Sequence, residues 1–330
     1  MFLHWKKHRS GVRLLYFTTT KYLHTLCFTI REGHLSNRCF VNAEETPKYV
    51  LSKEQLDFYK KNGFLVIKGL INFECLYNVK KRFLQVVNGL EDKGLMTIVK
   101  EPGLTEKGAK GPDVINKIND IHFDEEFSSY SEDPRLLDVV AQLIGDSITV
   151  VHCMFINKPA GTARHPPHQD LWYFPFGPAD KIVASWTAVD RVERDNGCLY
   201  VLPGSHRTQT LIEHHYPTDS NKFLFYGVRD ESAAPEEQRV HLPMDPGDTV
   251  FFHPLLIHGS GPNVSKRSRK AITSHYASGE CQYVTVDGTV QETVAKDIES
   301  LAKKIINTDV TFVDTWRFKN KLVRGTKSNL

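Results

Sequence analysis

Hydrophobic spacing along the chain changes character near residue 148. Before that point apolar positions recur at helical intervals. Ser52 with Gln55 three residues on marks a helix start, Leu56, Phe58 and Tyr59 follow, and Gly63 ends the run. Phe64-Leu65-Val66-Ile67 then reads as a short buried strand. A second helix is predicted over residues 73 to 88, with Leu76, Val79, Phe83 and Val87 on one face, and a third from Asp133 to Ile144, stopped by Gly145. Between them, residues 89 to 113 carry five glycines and many charges and read as an exposed loop.

From 148 onward the period shortens to that of strands. Candidates are 148–157, 171–176, 181–190, 198–202, 248–252, 269–277 and 281–286, with turn signals at Pro159-Ala160-Gly161, Asp195-Asn196-Gly197, Pro203-Gly204 and Pro246-Gly247-Asp248. Many short strands broken by such turns predict a mainly β fold with flanking helices, a sandwich or a jelly-roll (double-stranded β-helix, cupin-like) barrel. Residues 205 to 240 show no clear pattern and read as a long insertion of the kind that forms a lid or substrate wall. Val294, Ile298, Leu301, Ala302 and Ile305 outline one last amphipathic helix. The expected organisation is a segment 1–45 that is a targeting peptide or tail, then one domain over 46–330. That domain comprises a mixed part 46–147, a jelly-roll core 148–290 and a C-terminal helix and tail 291–330.

Composition adds modest bounds. A 40% hydrophobic and 25% charged chain of 330 residues has the make-up of a globular protein large enough for a sizeable core. A net charge of +3 without a basic stripe gives no reason to expect nucleic acid. No apolar run reaches the roughly 18 residues of a membrane span. The six cysteines are scattered, with no Cys-x-x-Cys pair, so free thiols in a reducing compartment are expected rather than a disulfide framework. The first 40 residues set seven Lys and Arg against Glu32 alone and are rich in Thr and aromatics, as organelle presequences are. The chain ends Ser328-Asn329-Leu330, one residue from the Ser-Lys-Leu peroxisomal address.

The chemistry lies in His168-Gln169-Asp170, then His258, then Arg269. Two imidazoles and a carboxylate can bind one face of Fe(II) and leave the other open, and an Arg fork suits a carboxylate. Together they point to an iron centre using a carboxylate-bearing co-substrate. His122-Phe123-Asp124 repeats the His-x-Asp spacing, but it lies outside the jelly-roll stretch, is followed by acids and reads as a solvated loop. His168 and Asp170, placed at the start of a strand, can face one side, and Leu171-Trp172-Tyr173-Phe174 can wall a reactive metal. For the distal ligand His253 competes, but it precedes Pro254, whereas His258 precedes Gly259-Ser260-Gly261, where small residues allow close approach. On a strand Arg269, Ala271, Thr273 and His275 share one face.

The runs RHPPHQDLWYFPF (Arg164–Phe176), ASWTA around Trp186, DNGCLYVLPGSH (Asp195–His206), GDTVFFHPLLIHGSGPN (Gly247–Asn263) and Arg269-Lys270-Ala271-Ile272, with NGFLVIK at 62–68, resemble the phytanoyl-CoA dioxygenase family. The likeness runs from about residue 50 to the C-terminus. It implies a peroxisomal Fe(II)/2-oxoglutarate oxygenase that hydroxylates a branched acyl-CoA next to its thioester, consuming O2 in fatty-acid α-oxidation, with ascorbate as a supporting reductant. It further implies His168, Asp170 and His258 as iron ligands, Arg269 and Ser260 on the distal carboxylate of 2-oxoglutarate, and Trp186 packed beside it. Lys117 and Met154 match co-substrate positions by shorter motifs, against readings as a surface Lys and a core residue. Asp170 separates the chain from related halogenases, which lack that carboxylate. Two alternatives stand: a hydroxylase of the same family acting on a free acid or small metabolite, and a non-catalytic cupin-like binding module. The implied partners are the acyl-CoA and a peroxisomal import receptor. The family's N-terminal import signal begins with a basic residue, however, and here His34-Leu35 is preceded at the matching place by Cys27-Phe28, leaving the import route and a mitochondrial alternative open.

Overall fold

A computed structural model describes residues 2–7, 13–18, 48–216 and 225–330. Phe2–Lys7 and Arg13–Thr18 pair as an antiparallel hairpin in a unit separate from Lys48–Leu330. Most of the segment read as a targeting peptide, including Cys27-Phe28 and His34-Leu35, lies outside the described residues, as does 217–224 of the insertion.

The helices begin and end where local chemistry satisfies their free backbone groups. Ser52 and Gln55 form a reciprocal capping box on Lys53–Asn62, and Gly63, at φ 79°, closes it in the left-handed conformation. Asn72 caps Phe73–Val87, which buries Leu76, Val79, Phe83 and Val86, while Val87 is only partly covered. Asp133 caps Pro134–Ile144 ahead of a Pro in its first turn.

Twelve strands of the larger unit build two facing sheets: β1 Phe64–Ile67, β2 Thr97–Lys100, β3 Ile115–Asn119, β4 Ile148–Lys158, β5 His165–His168, β6 Ile182–Ala188, β7 Leu199–Val201, β8 Val240–Leu242, β9 Thr249–Phe252, β10 His258–Ser260, β11 Arg269–Ser278 and β12 Lys321–Arg324. The major sheet runs β1-β9-β6-β11-β4-β3-β2, with β12 on β4, and the minor sheet runs β8-β7-β10-β5. All of these pairings are antiparallel. The result is a double-stranded β-helix flanked by helices.

Strand alternation divides the core. Leu65, Phe155, Val183, Phe251, Ile272 and Tyr276 face the helices, packing with Val79, Phe83, Phe127 and Val139. Their neighbours Phe64, Ala184, Trp186, Val250, Phe252 and Ala271 turn inward against Leu199, Val201 and Leu242 of the minor sheet. A third cluster joins Trp172, Phe174 and Phe176 to Val294, Phe312 and Trp316 of the C-terminal helices, Glu292–Ile306 and Phe312–Arg317.

Several expectations change. The stretch 171–176 is not a strand: Asp170–Tyr173 is a 3-10 turn, and only Phe176–Gly177 pairs, with Gln282–Tyr283. Gln291 Nε2 explains the turn, donating to the carbonyls of Leu171, Trp172 and Phe174, which a ladder would otherwise use. The 89–113 loop contains β2 and a short helix, Pro102–Glu106. His122 is not solvated but fully buried, its Nε2 2.7 Å from the Lys319 carbonyl. The four described cysteines, Cys75, Cys153, Cys198 and Cys281, are free thiols. Among the described residues no helix is long and apolar enough to cross a membrane.

Candidate active site

β5 and β10 pair so that His168 stands directly opposite His258. Asp170 opens the turn immediately after β5, so the His-x-Asp pair sits at the end of a strand rather than at its start. Among the described residues His168, Asp170 and His258 bring one ligand-type atom each to within 4.8 Å of one another, and all three are buried. His168 Nε2 lies 3.4 Å and His258 Nε2 3.7 Å from Asp170 Oδ1.

Each imidazole is oriented through its far nitrogen. His168 Nδ1 donates to the Pro166 carbonyl and His258 Nδ1 to the Leu256 carbonyl, both at 3.0 Å. That fixes the tautomer and leaves both Nε2 lone pairs aimed inward, as metal-binding imidazoles require. Burial pushes His258 down to about 4, so it is neutral at physiological pH and its contact with Asp170 is not an ion pair. Burial alone raises the Asp170 carboxyl, but the imidazoles packed around it, and the hydrogen bond that His275 donates, outweigh burial and hold the group well below the usual carboxylate range. Two imidazoles with their Nε2 atoms turned inward and one carboxylate converging on a point are the donor set of a non-haem Fe(II) site, so the residues present fit that ion.

The eight side chains singled out by sequence, His168, Asp170, His258, Lys117, Met154, Trp186, Ser260 and Arg269, all line one cavity of about 120 Å³ between the sheets. Arg269 is 2% exposed. Its guanidinium donates to the Gly197 carbonyl and lies 5.3 Å over the Trp186 ring. Burial lowers it to about 10, which still leaves it cationic at neutral pH. Lys117 Nζ sits 5.1 Å from the centre of the Phe225 ring, on the insertion. Ile156, Leu199 and Phe252 make the intervening walls apolar.

The competing residues have other duties. Asp124 caps Glu125–Ser131 and receives Arg82 at 2.7 Å. His253 Nε2 meets Asp180 at 2.9 Å, in a different pocket with His206.

Three groups near the ligands carry roles that their sequence positions did not reveal. His275 Nε2 lies 2.8 Å from Asp170 Oδ2, the oxygen turned away from the imidazole pair. The signal was available: His275 falls on the Arg269 face of β11, six residues along. Gln169, fully buried, donates to the carbonyls of Thr210 and Leu255 and accepts from the Ile212 backbone, while its own N–H meets His214 Nε2. It thereby ties the ligand turn to the insertion, where His214 stacks on Trp172 at 4.6 Å. Lys158, 5% exposed, reaches Ser260 Oγ at 3.2 Å, and nothing in its local sequence marks it.

A second cavity, of about 190 Å³, meets the first at His168, Asp170 and His275 and extends between Tyr173, Phe174, Ile298, Trp316 and Lys319. His168 and Asp170 therefore stand between a cavity lined by Lys158 and Arg269 and a second one lined by Tyr173, Phe174 and Trp316.

Comparison with known proteins agrees with this geometry. The phytanoyl-CoA dioxygenase family model matches residues 59–271. The chain is 42% identical to peroxisomal phytanoyl-CoA dioxygenase of Rattus norvegicus over 291 residues, covering 85% of each protein. It is also 42% identical to a probable phytanoyl-CoA dioxygenase of Caenorhabditis elegans over 303 residues, covering 85% of this chain and 96% of the relative. Among solved structures, EctD from S. alaskensis with 2-oxoglutarate and 5-hydroxyectoine superposes with a TM-score of 0.57 at 22% identity, covering 74% of this chain and 82% of that one. The non-heme alpha ketoglutarate dependent epimerase SnoN aligns at 0.53 and 18%, over 73% and 88%. Those structures share the fold, and the sequence relatives settle the lineage: this chain belongs to the phytanoyl-CoA dioxygenase family.

Proposed function

We propose that this chain hydroxylates a branched fatty acyl-CoA, with phytanoyl-CoA as the first candidate, at the carbon beside the thioester carbonyl. The reaction consumes 2-oxoglutarate and O2 and yields the 2-hydroxyacyl-CoA, succinate and CO2. The observation that carries the reading is the placement of His168, Asp170 and His258 at the head of a cavity closed at its far end by Arg269.

Those three side chains would hold Fe(II), which would supply the activation of O2. The chain's own residues do the positioning. Arg269, fixed by Gly197 and Trp186, offers its fork to the outer carboxylate of 2-oxoglutarate, beside the Ser260 hydroxyl. Lys117 and Met154 border both cavities and would line the co-substrate site. His275 and the two backbone carbonyls hold the ligand atoms in place. The aromatic chamber of Tyr173, Phe174 and Trp316 takes the acyl end and keeps water from the reacting carbon.

The named peroxisomal relatives support a peroxisomal site of action. Mass spectrometry of products from branched acyl-CoA esters and from their free acids tests the substrate. A gain of one oxygen on phytanoyl-CoA but not on phytanic acid is expected. Hydroxylation of the free acid alone would move the reading to a different substrate class.

A further inference from the structure

We propose that Lys158 is a second cationic anchor for the outer carboxylate of the 2-oxo acid and the residue that makes the site prefer a dicarboxylate; this rests on the co-substrate reading above.

Lys158 ends β4, and Arg269, which begins β11, is its direct partner in the ladder. Both side chains line the same cavity, and both are almost wholly buried, at 5% and 2% exposure. The Lys158 ammonium donates to Ser260 Oγ at 3.2 Å and to the Ala163 carbonyl at 2.9 Å. Ser260 is itself a proposed carboxylate contact, so hydroxyl, ammonium and guanidinium converge on one end of the chamber.

The lysine is also held in place. Asn263 Nδ2 donates to its carbonyl at 2.8 Å. Gly197 closes the other side: a Cβ there would lie 2.7 Å from Lys158 Cε and 2.7 Å from the Gly261 carbonyl oxygen. The same Gly197 carries the carbonyl that receives Arg269. One glycine therefore sets the position of both cations, allowing the lysine stem to lie flat against its backbone.

Two buried cations side by side repel each other, and a carboxylate between them turns that arrangement into two charge-assisted contacts. A 2-oxo acid without the outer carboxylate forgoes both of these contacts, which is how a polar site rejects an analogue that lacks its partner group.

The test is calorimetric titration of the full chain, loaded with Mn(II) in the absence of O2, with 2-oxoglutarate and with its monocarboxylate counterpart 2-oxopentanoate. Wild type, Lys158→Met, Lys158→Gln and Lys158→Arg are compared at matched melting midpoints. Losing one charged hydrogen-bonding group predicts a rise of about 10- to 100-fold in the 2-oxoglutarate Kd for Lys158→Met. The Kd for 2-oxopentanoate should move less than about threefold, so the preference for the dicarboxylate falls by nearly the whole factor. Lys158→Gln, which can keep a bond to Ser260 without the charge, should show the same fall if the Met variant does not fold, and Lys158→Arg should recover part of it. Equal weakening toward both acids, or an unchanged preference, overturns the assignment and makes Lys158 a packing residue. Failure of wild type to bind 2-oxoglutarate at all would instead overturn the co-substrate reading on which it depends.

Discussion

Replacing His275 by Phe isolates how much the ligand carboxylate depends on its outer partner. His275 Nε2 is 2.8 Å from Asp170 Oδ2, and the two residues are 4% and 7% exposed, so the contact is shielded from bulk water. Phe preserves a ring against Phe174, whose centre lies 5.2 Å away edge-on, and removes only the hydrogen-bonding nitrogens. Outer partners of metal ligands are typically worth 10- to 100-fold in metal affinity, or roughly 1.4–2.7 kcal/mol. A hydrogen bond to a charged group, at about 1.5–3 kcal/mol, gives the same range by an independent route. Anaerobic competition between the protein and a chelator for Fe(II) reads the affinity directly, with His168→Ala as the fully disabled reference. An affinity within twofold of wild type would refute the claim that His275 orients Asp170. A loss as complete as that of His168→Ala would refute it differently, by making His275 a ligand itself.

Other outcomes follow from the same arrangement of side chains. Arg269→Ala should raise the 2-oxoglutarate KM by about 100-fold, the cost of removing a bidentate charged contact, and an unchanged KM would remove Arg269 from the anchor role. Burial holds His214 at about 3 and His253 and His258 at about 4, all under the ordinary 6.5. The unfolded chain therefore binds protons that the folded chain refuses as pH drops from 6.5 to about 4. Metal-free stability is complete above that window and is lost within it, with a slope of up to about 4 kcal/mol per pH unit for three groups. Urea midpoints at pH 7, 6 and 5 check this, and a flat profile contradicts it. Phe83, fully buried with its ring centre 4.7 Å from that of Phe155, should cost about 3–5 kcal/mol when changed to Ala; a urea-melt loss under about 1 kcal/mol would place that helix face outside the core.

Where the sequence was legible, local chemistry was sufficient. The Ser52–Gln55 box, the Asp133 cap and the glycines at 63 and 145 mark helix ends by themselves. The jelly-roll strands announced themselves by alternation and turns, and His168, Asp170 and His258 by residue type and spacing. What escaped was decided by partners far away in the chain. Leu171 to Phe174 has the composition of a strand, yet Gln291, some 120 positions on, takes its carbonyls and curls it into a turn. His122 looked exposed among acids until the Lys319 carbonyl, 197 residues later, covered it. β2 lay hidden among glycines because only two of its four positions are even half-buried, which leaves little alternation to read. Lys158 owes its place to being registered opposite Arg269, and a register cannot be read from one strand alone.

The central claim is that His168, Asp170 and His258 hold an iron that couples 2-oxoglutarate to oxidation of an acyl-CoA. Succinate measured after anaerobic Fe(II) loading, addition of 2-oxoglutarate and phytanoyl-CoA, and exposure to O2 tests it most directly. The account predicts one succinate per 2-hydroxyacyl-CoA in the wild type, none once a chelator strips the metal, and none in His168→Ala. Hydroxylated product that survives chelation or the His168→Ala change, or a folded iron-loaded wild type that turns over no 2-oxoglutarate with any acyl substrate, would contradict it.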